Sequence, residues 1–363
     1  MTTTDTTTIA RLPPLFVVNL LVVLYALCYQ LQSPLEPFLV DQLVNRSEES
    51  SAAYARLQSF FSLMQMVGSF IVGYMLDFVG LRGMFALNFL ACAACYALLA
   101  SATSIELLYA AKLPAMFQTG FLCAQAAAAK LTAAGPERAT ALGRLTSAYT
   151  VGGVVGPALG GYLGVQAAAR LAVVGSLCAA GLVMLLPSAV EERQQRRRAL
   201  PSASSSQSAA VEGDKLAATS WTRRMSAILP LVWPLLVTKM SSGFVNSAGA
   251  AARPLILKDF FHFDQTRLGV FMSAMFFGNA LLGLQLGRIT TSLGGALPTI
   301  VRCLGAAAVG HAAVAAAFEP TAGVGRGTRD GGVWLFMGLT LMLSLFQFPM
   351  ATTITAQSTA LVR

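Results

Sequence analysis

The residues of this chain best suited to chemistry are a few ionisable and amide side chains stranded in apolar sequence. Lys112 stands in AAKLPAMF and Lys239 in LLVTKMSSGF. A charge at membrane depth is costly, so such residues face a bundle interior or a water-filled path and commonly handle ions or polar solutes. Two lysines turned toward one cavity would favour an anionic or neutral solute, or a carboxylate partner. Gln118, Asn246 and Gln347 are further polar groups in or near apolar stretches, able to line a cavity or to hydrogen-bond between helices. Glu36, in SPLEPFLV, is the carboxylate best placed to hold a proton or a cation. Pro34 and Pro37 around it also suit a solvated helix end. His311 stands in an alanine-rich run, where a neutral packed ring competes with a proton-relay role.

Other chemistries find no support. No nucleophile is arranged with a His and an acid, no phosphate-binding glycine loop leads into Lys-Ser/Thr, and no His pair has metal-ligand spacing. An enzyme is not expected, and no cofactor or metal is implied. Asp259, His262 and Asp264 read as a solvated loop. Cys92 and Cys95 have CxxC spacing, but their Ala, Leu and Tyr neighbours point to inert helix packing.

The elements that must position these groups are membrane spans. Charged residues are 11% of the 363, against about 25% in a soluble domain. Apolar residues reach 55%, with mean hydropathy +0.65. They are gathered into runs of about 20 residues or more, the length that crosses a hydrocarbon core as helix. Ten such runs are expected, near 14–40, 54–77, 83–102, 105–130, 139–165, 168–188, 226–256, 265–287, 296–318 and 332–357. The formal charge of +9 is spread over short loops, not over one face, which argues against nucleic acid.

Between the sixth and seventh runs the sequence turns basic and then Ser/Ala-rich, as a flexible linker does. The expected organisation is a tail at 1–13, a six-helix bundle at 14–188, a linker at 189–225 and a four-helix bundle at 226–363. Arg82, Lys130, Arg138, Arg144, Arg288 and Arg302 fall on the linker's side of the membrane, so the positive-inside rule places both termini in the cytoplasm.

Two motifs refine this reading. GYMLDFVGLRG, from Gly73 to Gly83, is expected to be a tight turn between the second and third spans. Sliding the chain along itself lays Gly73 on Gly287 and Gly80 on Gly294, which suggests an internal duplication. In the fifth span, TVGGVVGPALGGYLG puts Gly152, Gly156, Gly160 and Gly164 on one helical face. Gly153, Pro157 and Gly161 form the adjacent row. Small residues so spaced let helix backbones approach closely, and Pro157 invites a kink.

The first motif resembles the signature loop of the major facilitator superfamily, G-x-x-x-D-x-x-G-R-R/K, at Gly73, Asp77, Gly80 and Arg82; Leu81 departs from it. The second resembles G-x-x-x-G-P-x-x-G-G, associated in that superfamily with antiporters. Two further blocks, around Pro136–Arg144 and Lys239–Met272, are similar to the solute carrier 22 member 18 type.

The resemblance implies an all-α fold of two pseudo-symmetric bundles and a carrier of small organic solutes, with exchange against protons as its coupling. It also implies a conformational latch at Asp77, with Arg138 or Arg144 as partners. The partners expected are thus a small organic solute, a proton and the lipid bilayer. The spans number six and four where the family has six and six. A transport-deficient carrier acting as a membrane scaffold is therefore the alternative expectation.

Overall fold

The computed structural model describes residues 13–44, 47–132, 136–186, 230, 233–234, 237–317 and 329–361. The expected linker at 189–225 lies outside the described residues, as does the tail up to residue 12. Every regular element among the described residues is a helix. Among the described residues, seven helical segments are long and apolar enough to cross a membrane. They carry Phe70, Leu284 and Trp334, each more than two-thirds exposed, which suits lipid as the surrounding solvent.

The first expected span is two helices. α1 runs Pro14–Gln32, and α2 runs Glu36–Leu43 after a turn at 33–35. Pro34 and Pro37 supply the break, since proline lacks the amide that would continue the ladder. α3 runs Ser47–Ala100 with one residue out of helical conformation, Gly80 at φ 79° and ψ 168°. The expected tight turn of several residues is therefore a single-residue break, and Gly73 lies inside the helix.

The fourth expected span is also broken. α4 covers Ile105–Lys112, a 3-10 turn follows at Pro114–Phe117, and α5 covers Gly120–Leu131. Leu113 keeps helical angles, but Pro114 after it has no amide to continue the ladder, which ends the regular pattern. Ser104 caps the start of α4, its hydroxyl accepting from the Leu107 amide at 3.3 Å. α6 runs Pro136–Leu163 and α7 runs Val165–Leu182, joined at Gly164 with φ 77°. Residues 237–255 form α8, which ends in a π-helical turn at Ile256–Phe260. α9 covers Gln265–Ser292, α10 Ala296–Ala317 and α11 Arg329–Leu361.

The contacts gather the chain into two units, Met1–Gln194 with Arg253–Ala280, and Gln195–Ala252 with Leu281–Arg363. The core of the first is built from Leu21, Leu31, Leu57, Phe85, Phe89, Leu108 and Leu145, all nearly inaccessible. Arg253–Ala280, which the sequence assigned to the second bundle, packs here with the first because of α6. Along α6 the two glycine rows serve different neighbours. A Cβ added at Gly160 would meet the Leu31 carbonyl oxygen at 2.1 Å, and one at Gly152 would meet the Val23 carbonyl, so this row seats α1. A Cβ at Gly161 would meet the Gln265 carbonyl and one at Gly153 the Phe276 ring, so the other row seats α9. The Ala158 amide donates to the Ser273 hydroxyl at 2.9 Å.

The second unit packs α10 on α11 around Ile300, Cys303, Met350 and Ile354. His311 Nδ1 lies 2.7 Å from the Ala307 carbonyl one turn earlier on its own helix. Gly294 has a positive φ of 80° in a helix-ending turn, where its amide donates to the Thr291 carbonyl and the Gly295 amide to the Thr290 carbonyl.

Candidate functional site: a buried ion pair between two broken helices

The breaks in the first and fourth spans each leave a charged residue at a helix end. Glu36 is the first residue of α2, and Lys112 is the last residue of α4. A helix N-terminus favours a negative group and a C-terminus a positive one, by about 0.3–2 kcal/mol each. That is small beside the several kcal/mol needed to desolvate each ion. The deficit is met by pairing. Lys112 Nζ forms a salt bridge with Glu36 Oε1, the side chains being 5% and 12% exposed.

The surroundings come from α3. Gln58 Nε2 donates to the other carboxylate oxygen, Glu36 Oε2, at 2.8 Å, and also to the Tyr54 hydroxyl at 3.1 Å. The Lys112 ammonium lies 4.8 Å from the centroid of the Phe61 ring, within cation–π range. Tyr29 of α1 stacks on Phe61 with centroids 6.4 Å apart, and Tyr25 stacks on Tyr29 at 6.1 Å. The pair is thus walled by aromatic faces and has one amide donor on its acidic side.

The break after Lys112 frees backbone carbonyls, which must find donors within a membrane. Gln65 Nε2 donates to the carbonyls of Ala115 and Gln118 at 3.4 and 3.2 Å, and the Tyr25 hydroxyl donates to the Gln118 carbonyl at 2.9 Å. Gly68 lets α3 approach this segment, since a Cβ there would lie 1.7 Å from the Met116 carbonyl oxygen. The Gln118 side chain is 2% exposed. Its amide nitrogen has the sulfurs of Cys92 and Cys95 as neighbours and no oxygen acceptor among the described residues.

Of the residues singled out in the sequence, Glu36 and Lys112 meet directly and Gln118 lies across the same break. Lys239 and Asn246 are exposed on α8, and Gln347 is half-buried on α11. The side chain of Asp77 lies outside the described residues. Arg82 Nη2 contacts the Met184 sulfur at 2.6 Å. Arg138 donates to the carbonyls of Ala129 and Thr132 at the end of α5, and Arg144 is exposed.

Asp264 accepts from the Arg267 amide at 2.7 Å at the start of α9. Asp259 accepts from Ser51 and pairs with Lys258 at 3.2 Å; Lys258 also reaches Asp41 at 3.1 Å. No metal-binding cluster occurs among the described residues.

Sequence reading missed the supporting face of α3. Tyr54, Gln58, Phe61 and Gln65 recur at intervals of four, three and four, the signature of one helical stripe. The polar members of that stripe are the available signal, set in a run that otherwise has the composition of a plain span.

A family model described as Major Facilitator Superfamily matches residues 18–363. The chain belongs to that superfamily. It is 32% identical over 301 residues to the Mus musculus protein named solute carrier family 22 member 18, covering 78% of this chain and 69% of that one. It spans 58% of the Rattus norvegicus protein of the same name. The class G tetracycline resistance protein of Vibrio anguillarum is 34% identical over 146 residues, 40% of this chain and 37% of that protein. Among solved structures, a D-xylose–proton symporter superposes with a TM-score of 0.66 at 13% identity, covering 96% of this chain and 87% of the symporter. The chain is therefore an integral, multi-pass, all-α membrane protein of a transporter superfamily.

Proposed function

We propose that the chain is a secondary active transporter that carries a small organic solute by alternating access and is coupled to protons through Glu36. The observation that carries this reading is the buried Lys112–Glu36 pair held between two discontinuous helices. Buried ion pairs add little to stability compared with apolar packing of similar volume, and charges inside spans usually mark a solute or ion path. Helices broken near the bilayer midplane are a recurrent way of building such a site.

In this reading Lys112 and Gln118 of the first unit contact the solute. The α6 glycine rows with Pro157 and the Gly73–Arg82 segment serve the conformational change. Both termini lie in the cytoplasm. The names borne by relatives, tetracycline resistance and D-xylose–proton symport, make uncharged and charged organic solutes the first panel to try.

The test is uptake into proteoliposomes over that panel, with and without a pH gradient. Solute accumulation that follows the gradient and is lost in Glu36→Gln is expected. Absence of flux for every solute, from folded and correctly oriented protein, would overturn the reading in favour of a membrane scaffold.

A further inference from the structure

We infer that Lys258 and Asp259 form a releasable clasp that fastens the end of α8 to α2 and α3, and that the π-helical turn carrying them changes shape when the clasp opens. The clasp concerns the fold of α8 and not the solute site, so neither depends on the other.

Consecutive side chains of the turn reach two different elements. Lys258 Nζ lies 3.1 Å from Asp41 Oδ1 at the end of α2, with the Phe38 ring centroid at 5.9 Å. Asp259 accepts from the Ser51 hydroxyl near the start of α3 and turns its other oxygen to Lys258 at 3.2 Å. One ammonium thus joins two carboxylates, and the pair of residues joins two neighbouring helices. All of them belong to the first unit, which takes in the chain from Arg253 to Ala280.

The backbone beneath them departs from a regular helix. The Phe261 amide donates to the Ile256 carbonyl five residues back at 3.3 Å, and the Phe263 amide donates to the Leu257 carbonyl six back at 2.9 Å. An α-helix reaches back four. His262 follows at φ 56°, the only residue besides glycines with a positive φ among the described residues. Turns of the π type are rare and frequently mark functional sites, and strained residues persist only where their surroundings over-determine them.

The clasp supplies that constraint. Leu257 is 1% exposed and seats the turn, while the two residues after it are drawn to separate neighbours. Closing the turn to four-residue spacing rotates the side chains that follow about the axis, by up to ~100° for one residue of register, and parts Lys258 and Asp259 from Asp41 and Ser51. The widened turn and the clasp therefore stand or fall together. Neither is strong: the Asp41 and Asp259 side chains are 42% and 41% exposed, a setting in which ion pairs are weak and screened by salt. A weak tie set against a strained turn gives the end of α8 a fastened and a released state.

The experiment is hydrogen exchange of the full chain in nanodiscs, read at the Phe261 and Phe263 amides, whose protection reports local opening. Lys258→Gln should raise exchange there about two- to fivefold, the factor expected from one weak ion pair, and leave the thermal unfolding temperature nearly unchanged. Ser51→Ala, which frees the α3 leg alone, should raise exchange by less. Raising salt from about 0.1 to about 1 M shortens the Debye length from about 10 to about 3 Å. That change should speed exchange at the two amides in wild type and not in Lys258→Gln.

Unchanged exchange at Phe261 and Phe263 in a folded Lys258→Gln, or the same salt response in both proteins, would overturn the clasp. A large fall in unfolding temperature, with exchange raised throughout the first unit, would overturn it as well, because the ion pairs would then be a fixed part of the core. No solute enters the measurement, so its outcome is separate from whether flux is found.

Discussion

Lys112 and Glu36 lie 76 positions apart in sequence, yet each sits at a helix terminus whose dipole suits its charge, and the two neutralise one another inside the first unit. Removing one partner leaves the other buried and unpaired, a change that costs about 3–5 kcal/mol in comparable sites. Lys112→Met should therefore lower the thermal unfolding temperature in detergent far more than Glu36→Gln/Lys112→Met. A double variant less stable than Lys112→Met alone would show that the pair is not coupled.

The α6 glycines make a graded prediction. Gly160→Ala places a methyl 2.1 Å from the Leu31 carbonyl oxygen, so α1 must move. A loss of about 1–3 kcal/mol is expected from such overpacking. Gly143, on the same helix, has nothing within 4 Å of an added Cβ. Gly143→Ala should be neutral or stabilising by up to about 1 kcal/mol, from helix propensity alone. Thermal shift of the two variants side by side checks the contrast, and equal effects would sink it.

At Gly80 the constraint is the backbone itself. With φ 79° and ψ 168°, the residue occupies a region essentially reserved for glycine, where another residue costs about 1–3 kcal/mol. Gly80→Ala should lower stability by that amount although it adds only a methyl. Gly73→Ala, in regular helix with open space around it, should be tolerated. Both are read by unfolding in detergent.

Ser273 receives the Ala158 amide one residue beyond Pro157. Ser273→Ala leaves that half-buried donor without this acceptor, worth about 1 kcal/mol. Ser273→Thr keeps the hydroxyl and should recover most of the loss. Hydrogen exchange at Ala158 should accelerate in the alanine variant only; unchanged protection there would remove the bond from the account.

The ion pair of Lys258 with Asp41 behaves differently from the Lys112 pair because the Asp41 side chain is 42% exposed. Solvent screens it, and exposed pairs are worth about 0–1 kcal/mol. Asp41→Asn should change stability by less than that, and raised salt should shrink even this difference.

Sequence by itself determined the membrane character, the helical class and the superfamily, because hydrophobic run length and the Gly73–Arg82 signature are local properties of the chain. It also determined that α6 would pack closely on its neighbours, since glycine spacing fixes a helical face. Pro34, Pro37 and Pro114 carried the breaks in the first and fourth spans, although the runs around them read as continuous helix. Only the tertiary structure decided which neighbours those faces meet, α1 on one row and α9 on the other. It alone brought Glu36 to Lys112 and gave Gln58, Phe61 and Tyr54 their places around the pair. Charge complementarity across 76 residues leaves no mark on local periodicity: a lone glutamate at a helix end and a lone lysine in a span look separately like solvated or snorkelling groups. Folding joins them because, in a dry bundle, neither can remain charged without the other.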